Sequence, residues 1–182
     1  MKREFVITAV GKDKPGIVAG VTEVLFKLGG NIEDSSMTIL AGEFAMIIIV
    51  SLPQKVDLGY LEEKLDPVRR SLSLVLSIKE LGPDELRRAK GEHETKYMIS
   101  VLGVDRPGIV YRVTEILAEH GINITDVQTQ MAGEKDQPIY TMVIEVKVPK
   151  ALDMKTVSGE LEERGRELKI DVSVRPIDEP IL

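Results

Sequence analysis

Cysteine and tryptophan are both absent from the 182 residues, and histidine occurs only twice. Without thiols the chain can form no disulfide, no Cys-ligated zinc site and no thiol nucleophile. The two histidines, His93 and His120, are accompanied by no Gly-x-Ser-x-Gly, Walker, His-Glu-x-x-His or cysteine-pair motif. Carboxylates are plentiful, but Glu62-Glu63 and Glu162-Glu163 fall on amphipathic helical patterns and read as solvated faces. No basic stripe exists either: net charge is −6, which argues against direct nucleic-acid binding, and no helix-turn-helix pattern is present. No apolar stretch reaches the roughly 20 residues of a membrane helix. Met1-Lys2-Arg3-Glu4 leads straight into a strand-like run rather than a secretory apolar core. The expectation is a cytoplasmic protein that is not an enzyme, with no cofactor, no metal and no membrane contact.

What the chain does have, it has twice. Asp13-Lys14-Pro15-Gly16-Ile17-Val18 returns as Asp105-Arg106-Pro107-Gly108-Ile109-Val110. Val21-Thr22-Glu23 returns as Val113-Thr114-Glu115, Gly29 as Gly121, and Asn31-Ile32 with Asp34 as Asn123-Ile124 with Asp126. A period near 92 residues is too long for a solenoid, whose units run about 20–50 residues. Two small domains are expected instead: 1–80, a linker over 81–94, 95–178, and a tail over 179–182. Each half is large enough to fold but buries a modest fraction of its surface, so a shared interface is expected.

Each half reads β-α-β-β-α-β. In the first, strands are predicted over Glu4–Val10, Asn31–Leu40, Glu43–Leu52 and Leu72–Glu80. One helix is predicted from Pro15 to the Gly29-Gly30 stop, with Pro15 at the first helical position and Ile17, Val18, Val21, Val24, Leu25 and Leu28 as its buried stripe, and another over Val56–Arg70. In the second half, strands are predicted over Lys96–Val104, Ile122–Met131, Ile139–Val148 and Ile170–Val174, with helices over Gly108–His120 and Asp153–Glu167. Asp84–Ala89 is predicted as a helical turn. The hairpin from Ala132 to Pro138 is longer than its counterpart at Ala41-Gly42, with a mobile polar tip. The fold class is α+β: two tandem ferredoxin-like units, each an antiparallel sheet with both helices on one face.

The other face of each sheet is left open, and the halves differ there. Phe44 to Val50 is apolar on both sides, as in a strand buried on both faces. In its counterpart, Tyr140, Met142, Ile144 and Val146 alternate with Thr141, Glu145 and Lys147. The first open face is therefore expected to be covered, most economically in a homo-oligomer, and the second to be wet.

Candidate chemistry sits where the first strand of each half meets its first helix. Helix N-termini leave backbone N–H groups unpaired and carry partial positive charge, which suits a carboxylate. Gly16 and Gly108 would let a ligand approach the main chain. Asp13 and Asp105 could receive an ammonium group, and Asn31 and Asn123 can donate and accept. A small zwitterion matches this set. The plainer reading is that the Asp residues cap helices, Pro-Gly shapes the turn and Asn closes a loop; both readings stand. Thr22-Glu23 and Thr114-Glu115 read as surface or interface.

The runs Asp-Lys/Arg-Pro-Gly-Ile-Val, Val-Thr-Glu and Gly-x-Asn-Ile resemble the ACT domain, a ligand-sensing module of amino-acid metabolism, across both halves. The tandem arrangement, with Asn-Ile-Glu-Asp-Ser at 31–35, is similar to the glycine cleavage system transcriptional repressor group. The resemblance implies side-by-side pairing of ACT domains, with an amino acid, glycine or serine, held at the seam between the first loop of one domain and the start of the second strand of its partner. Carried over, the ligand-binding candidates are Asp13, Gly16, Ile17, Asn31 and Ile32, with Asp105, Gly108, Ile109, Asn123 and Ile124. It also implies a regulatory role, possible in transcription, exerted through a protein partner. The alternative is a ligand-free interaction scaffold or oligomerisation module. A small enzyme acting through Asp13 and Asp105 lacks a visible proton partner.

Overall fold

The computed structural model describes residues 2–82, 85, 95–132 and 139–177. The Asp84–Ala89 turn, His93, the tip of the second hairpin and the tail at 179–182 lie wholly or mostly outside them. The chain divides into two compact units, 1–91 and 92–182.

In the first unit β1 spans Lys2–Lys12, α1 Ile17–Lys27, β2 Asn31–Leu40, β3 Glu43–Pro53, α2 Leu58–Leu72 and β4 Val75–Leu81. The second repeats the order with β5 Thr95–Val104, α3 Ile109–Glu119, β6 Asn123–Ala132, β7 Ile139–Val148, α4 Met154–Leu168 and β8 Ile170–Pro176. Each sheet is antiparallel, ordered β2-β3-β1-β4 and β6-β7-β5-β8. These are the two ferredoxin-like units.

Period-two alternation drives β1: Phe5, Ile7 and Ala9 are fully buried while the residues between them are not. Ile17, Val21 and Leu25 of α1 and Leu61 and Leu65 of α2 close over that face. The second core is separate, built on Ile99, Val101, Met142, Ile144, Val113 and Leu161. Val18, placed on the buried stripe by helical spacing, is 41% exposed. It begins the turn beyond Ile17 and points off the stripe's edge.

Two boundaries move. Pro15 is not the first helical residue; Gly16 is the N-cap in a left-handed conformation and α1 starts at Ile17. The strand predicted from Leu72 starts at Val75, because α2 runs on to Leu72 and turns out through left-handed Ser73. Asp57 caps α2 by accepting from the Tyr60 N–H at 2.8 Å, and Asp153 caps α4 by accepting from Lys155 at 3.0 Å. Ala41 and Gly42, both at positive φ, make the tight β2–β3 hairpin.

Strand β3 is apolar on both faces, as the sequence predicts, and within one chain the two faces differ in cover. Phe44, Met46, Ile48 and Val50 are buried against the helices, but Ile47 on the opposite face is 46% exposed, with Ala45 and Ile49 half-buried. The strand is apolar on both sides without being covered on both. In β7 the corresponding Thr141, Glu145 and Lys147 are half-exposed, as the alternation predicts.

On α2, Asp66 accepts from Arg69 at 2.5 Å and pairs with Arg70 at 2.7 Å. The Arg69 hydrogen bond, with the charges of both arginines, holds the Asp66 carboxyl below its ordinary value despite some desolvation. A carboxyl depressed in the folded state stabilises it above the unfolded pKa, and the contribution fades as pH falls through the folded one. Asp66→Asn is therefore expected to cost a little stability at neutral pH and to lose that deficit as pH falls below about 4, which flattens the acid limb of the unfolding profile. Urea midpoints measured across that range check it; an unchanged slope would sink the pairing as a stability element.

Candidate ligand-binding corners

Gly16 has φ 95° and ψ −4°, and Gly108 has φ 92° and ψ 0°. Each is the N-cap of its helix, and neither cap is closed by a side chain. Asp13 and Asp105 thus do not cap these helices. A left-handed N-cap strains any residue with a Cβ, which is why glycine stands at both corners. Added Cβ atoms there would meet nothing within 4 Å, so strain at the backbone, not crowding, is what reserves both positions for glycine. The first intrahelical bonds run from Gly20 N–H to the Gly16 carbonyl (2.8 Å) and from Arg112 N–H to the Gly108 carbonyl (2.9 Å). Asp13, Lys14, Pro15 and Gly16 are exposed, as are Asp105 to Gly108.

The Asp13 N–H donates to the Gly42 carbonyl at 2.9 Å and ties the first corner to the β2–β3 hairpin. In the second unit the Tyr140 phenol is pushed up by burial first and then by the charge of Asp105. Ile17 and Ile109, each 2% exposed, are core anchors. Only their backbone N–H groups are left to face a ligand.

The asparagines stand elsewhere. Asn31 pairs with Ser51 at one end of the sheet, whereas Lys12, leading into the Gly16 corner, pairs with Glu43 at the other. Ten residues of β2 separate those ends, about 30 Å at strand rise. Asn123 opens β6 in the same way, opposite Lys147. Within one unit the structure therefore does not bring the corner and the asparagine together. Asn31 Nδ2 donates to Glu33 Oε1 at 3.0 Å, and the Ser51 hydroxyl donates to the same oxygen at 2.6 Å. Glu33 occupies a bulge between Ile32 and Asp34, repeated between Ile124 and Asp126. That Glu33–Ser51 link escaped sequence reasoning, since a bulge and a cross-strand partner leave no periodic signature. Ile32 is 41% exposed and Ile124 is half-buried against its core.

The repeated threonines have a local explanation. The Thr22 hydroxyl donates to the Val18 carbonyl at 2.8 Å and that of Thr114 to Val110 at 2.9 Å. Glu23 pairs with Lys27 at 2.6 Å, and Glu115 accepts from the Tyr111 hydroxyl. These pairs lie on the helix surfaces.

Two ferredoxin-like units, each with a glycine corner ahead of its first helix, define the class: the chain belongs to the ACT domain family, whose model matches residues 3–79 and 96–175. It is similar to the glycine cleavage system transcriptional repressor of Escherichia coli, 26% identical over 176 residues, covering 96% of this chain and 90% of that one. A UPF0237 protein of Streptococcus pneumoniae is 42% identical over 74 residues, 41% of this chain and 84% of that protein. Among solved structures, an unknown protein from Galdieria sulphuraria matches with a TM-score of 0.82 at 27% identity, covering 98% of this chain and 100% of that one. Among the described residues no helix is long and apolar enough to cross a membrane.

Proposed function

We propose that this chain is a non-enzymatic regulatory protein in which a small amino acid, glycine or serine, binds at the duplicated glycine corners. One observation carries the reading: two helices open on exposed, left-handed glycines with matching dihedrals, uncapped by side chains. A carboxylate would accept from the free N–H groups following Gly16 or Gly108, where the helix dipole favours it. Asp13 or Asp105 would take the ammonium. A second ACT domain would bring its Asn31 or Asn123 strand end to complete the site, since those residues lie too far away within their own unit. Occupancy would favour one domain arrangement by its differential affinity, and a protein partner would read that arrangement. The likeness to a transcriptional repressor supports a regulatory role in amino-acid metabolism.

Titration calorimetry with a panel of amino acids tests it. Saturable heat is expected for glycine or serine, weakened by Asn31→Ala or Asn123→Ala and abolished when Gly16→Ala and Gly108→Ala are combined. Each glycine change is expected to cost about 1–2 kcal/mol of backbone strain, so a melting curve must show both variants folded. A panel giving neither heat nor a thermal shift would overturn the sensor reading.

A second reading, an interaction or oligomerisation module needing no ligand, is favoured by the uncovered apolar face of β3.

A further inference from the structure

We propose that the helix-free face of the first sheet is the seat of a two-fold homodimer, with the axis parallel to the strands and above the β3–β1 boundary. This rests on the second reading above and is independent of amino-acid binding. The pairing register lays the face out in rows. One row runs Asp34, Ile49, Val6, Lys79; the next Ser36, Ile47, Thr8, Ser77; the next Thr38, Ala45, Val10, Val75. At the hairpin end Glu43 stands beside Lys12. The two inner strands carry Ile49, Ile47, Ala45, Val6 and Val10 with one polar residue, Thr8, among them, the row beyond sets Ser51 beside Glu4, and opposite charges occupy opposite edges.

The proposed axis carries β2 of one copy over β4 of the other, and β3 over β1, row for row. Ile49 then meets Val6, and Ala45 meets Val10, each twice. Ile47 falls over Thr8, Asp34 over Lys79 and Glu43 over Lys12, again twice, so that ion pairs flank a mainly aliphatic pair of inner strands. An axis across the strands would instead put Asp34 over Thr38 and Lys79 over Val75, leaving both charges unanswered. A shallow depression of about 230 Å³ lined by Asp34, Ser36, Ile47 and Ile49 lies where the aliphatic arm of the other copy's Lys79 would fall. Lys79 already holds Glu85 at 2.5 Å, but an ammonium has three protons and can serve a second carboxylate.

The area suffices. Four strands about 4.8 Å apart, rising about 3.3 Å per residue over about ten residues, give a footprint of about 600 Å² per copy. Two copies would bury about 1,200 Å², the lower bound for a specific stable interface. Stacked sheets pack about 10 Å apart and nearly aligned, within reach of Lys, Asp and Glu side chains. The second unit keeps opposite edge charges in one row, Asp126 and Arg175, but differs between them. There Thr141 replaces Ala45, Glu145 replaces Ile49 and Asp171 replaces Val75, so the matching centre would bury a carboxylate over Met98.

Sedimentation equilibrium on the full chain from about 1 to about 100 µM tests the proposal, since a dimer dissociates on dilution. The wild type is expected to dimerise, and Ile47→Lys, at an exposed position, to be monomeric with its melting curve retained. Asp34→Lys and Lys79→Asp should each weaken association at least about tenfold by setting like charges together. A one-to-one mixture of the two should recover wild-type affinity, because the mixed dimer restores both pairs. Effects confined to one chain cannot produce that recovery. A wild type monomeric throughout would overturn both the dimer and the oligomerisation reading. A dimer indifferent to the charge reversals, or not recovered by mixing, would overturn this two-fold and leave oligomerisation standing.

Discussion

Phe5→Ala should lower the stability of the first unit by about 3–5 kcal/mol, the range for truncating a fully buried phenylalanine. The ring has no exposed surface. It stands on the middle of the sheet, with Val50 beside it on β3 and Glu80 on β4. Truncation removes the transfer energy of the ring and leaves a cavity that the flanking strands, held by ladder hydrogen bonds, cannot close. Arg3 loses a partner as well, since its guanidinium lies 5.7 Å from the ring centroid while it pairs with Glu80 at 2.6 Å. Phe26 provides the control. It is 79% exposed on α1, and Phe26→Ala should change stability by no more than about 0.5 kcal/mol. Urea unfolding monitored by circular dichroism separates the two, with each transition fitted separately because two cores need not unfold together. Equal costs for both variants would show that the first core is not close-packed around β1.

Gly103→Ala is the second large effect, and here the chain gains an atom. A Cβ on Gly103 would lie 2.7 Å from Ile170 Cγ2 and 3.0 Å from Ile170 Cα, so the β8 backbone itself must move. Overpacking of this kind costs about 1–3 kcal/mol, and the backbone contact puts Gly103 at the upper end. At the equivalent Gly11 the nearest atoms are the tip of Leu74 at 3.0 Å and the Ser73 carbonyl at 3.3 Å, so Gly11→Ala should cost less. Gly159, inside α4, has nothing within 4 Å of an added Cβ, and Gly159→Ala should stabilise by about 0.5–1 kcal/mol through helix propensity. Thermal denaturation of the three variants ranks them. Any order other than Gly103 most harmful and Gly159 beneficial would contradict the proposed close approach of β5 to the start of β8.

Sequence reasoning reached far into the fold because the pattern is local. Phe5, Ile7 and Ala9 announce a half-buried strand, and Ile17, Val21 and Leu25 a helix with one buried stripe. The offset of 92 residues then transfers each assignment to the second half. Boundaries failed where the backbone does something the side chains do not advertise. Pro15 looked like a helix start, yet the left-handed turn at Gly16 moved the start to Ile17. Leu72 and Leu74 looked like strand alternation, yet Ser73 at φ 56° separates a helix end from a strand. The candidate site was legible only in part. Its residue types could be listed, but the sheet register alone set Asn31 and Gly16 at opposite ends of their unit.

The amino-acid sequence by itself determined the duplication, the β-α-β-β-α-β order, the two-layer fold and the family, because hydrophobic period and turn chemistry act over a few neighbouring residues. Only the tertiary structure decided which groups share a row, an edge or an end of a sheet. Asp34 and Lys79 are 45 positions apart in sequence, and only antiparallel pairing through Ile49 and Val6 sets them in one row. Strand register is fixed by the hydrogen-bonded ladder and the buried face together, and neither exists until the chain has folded.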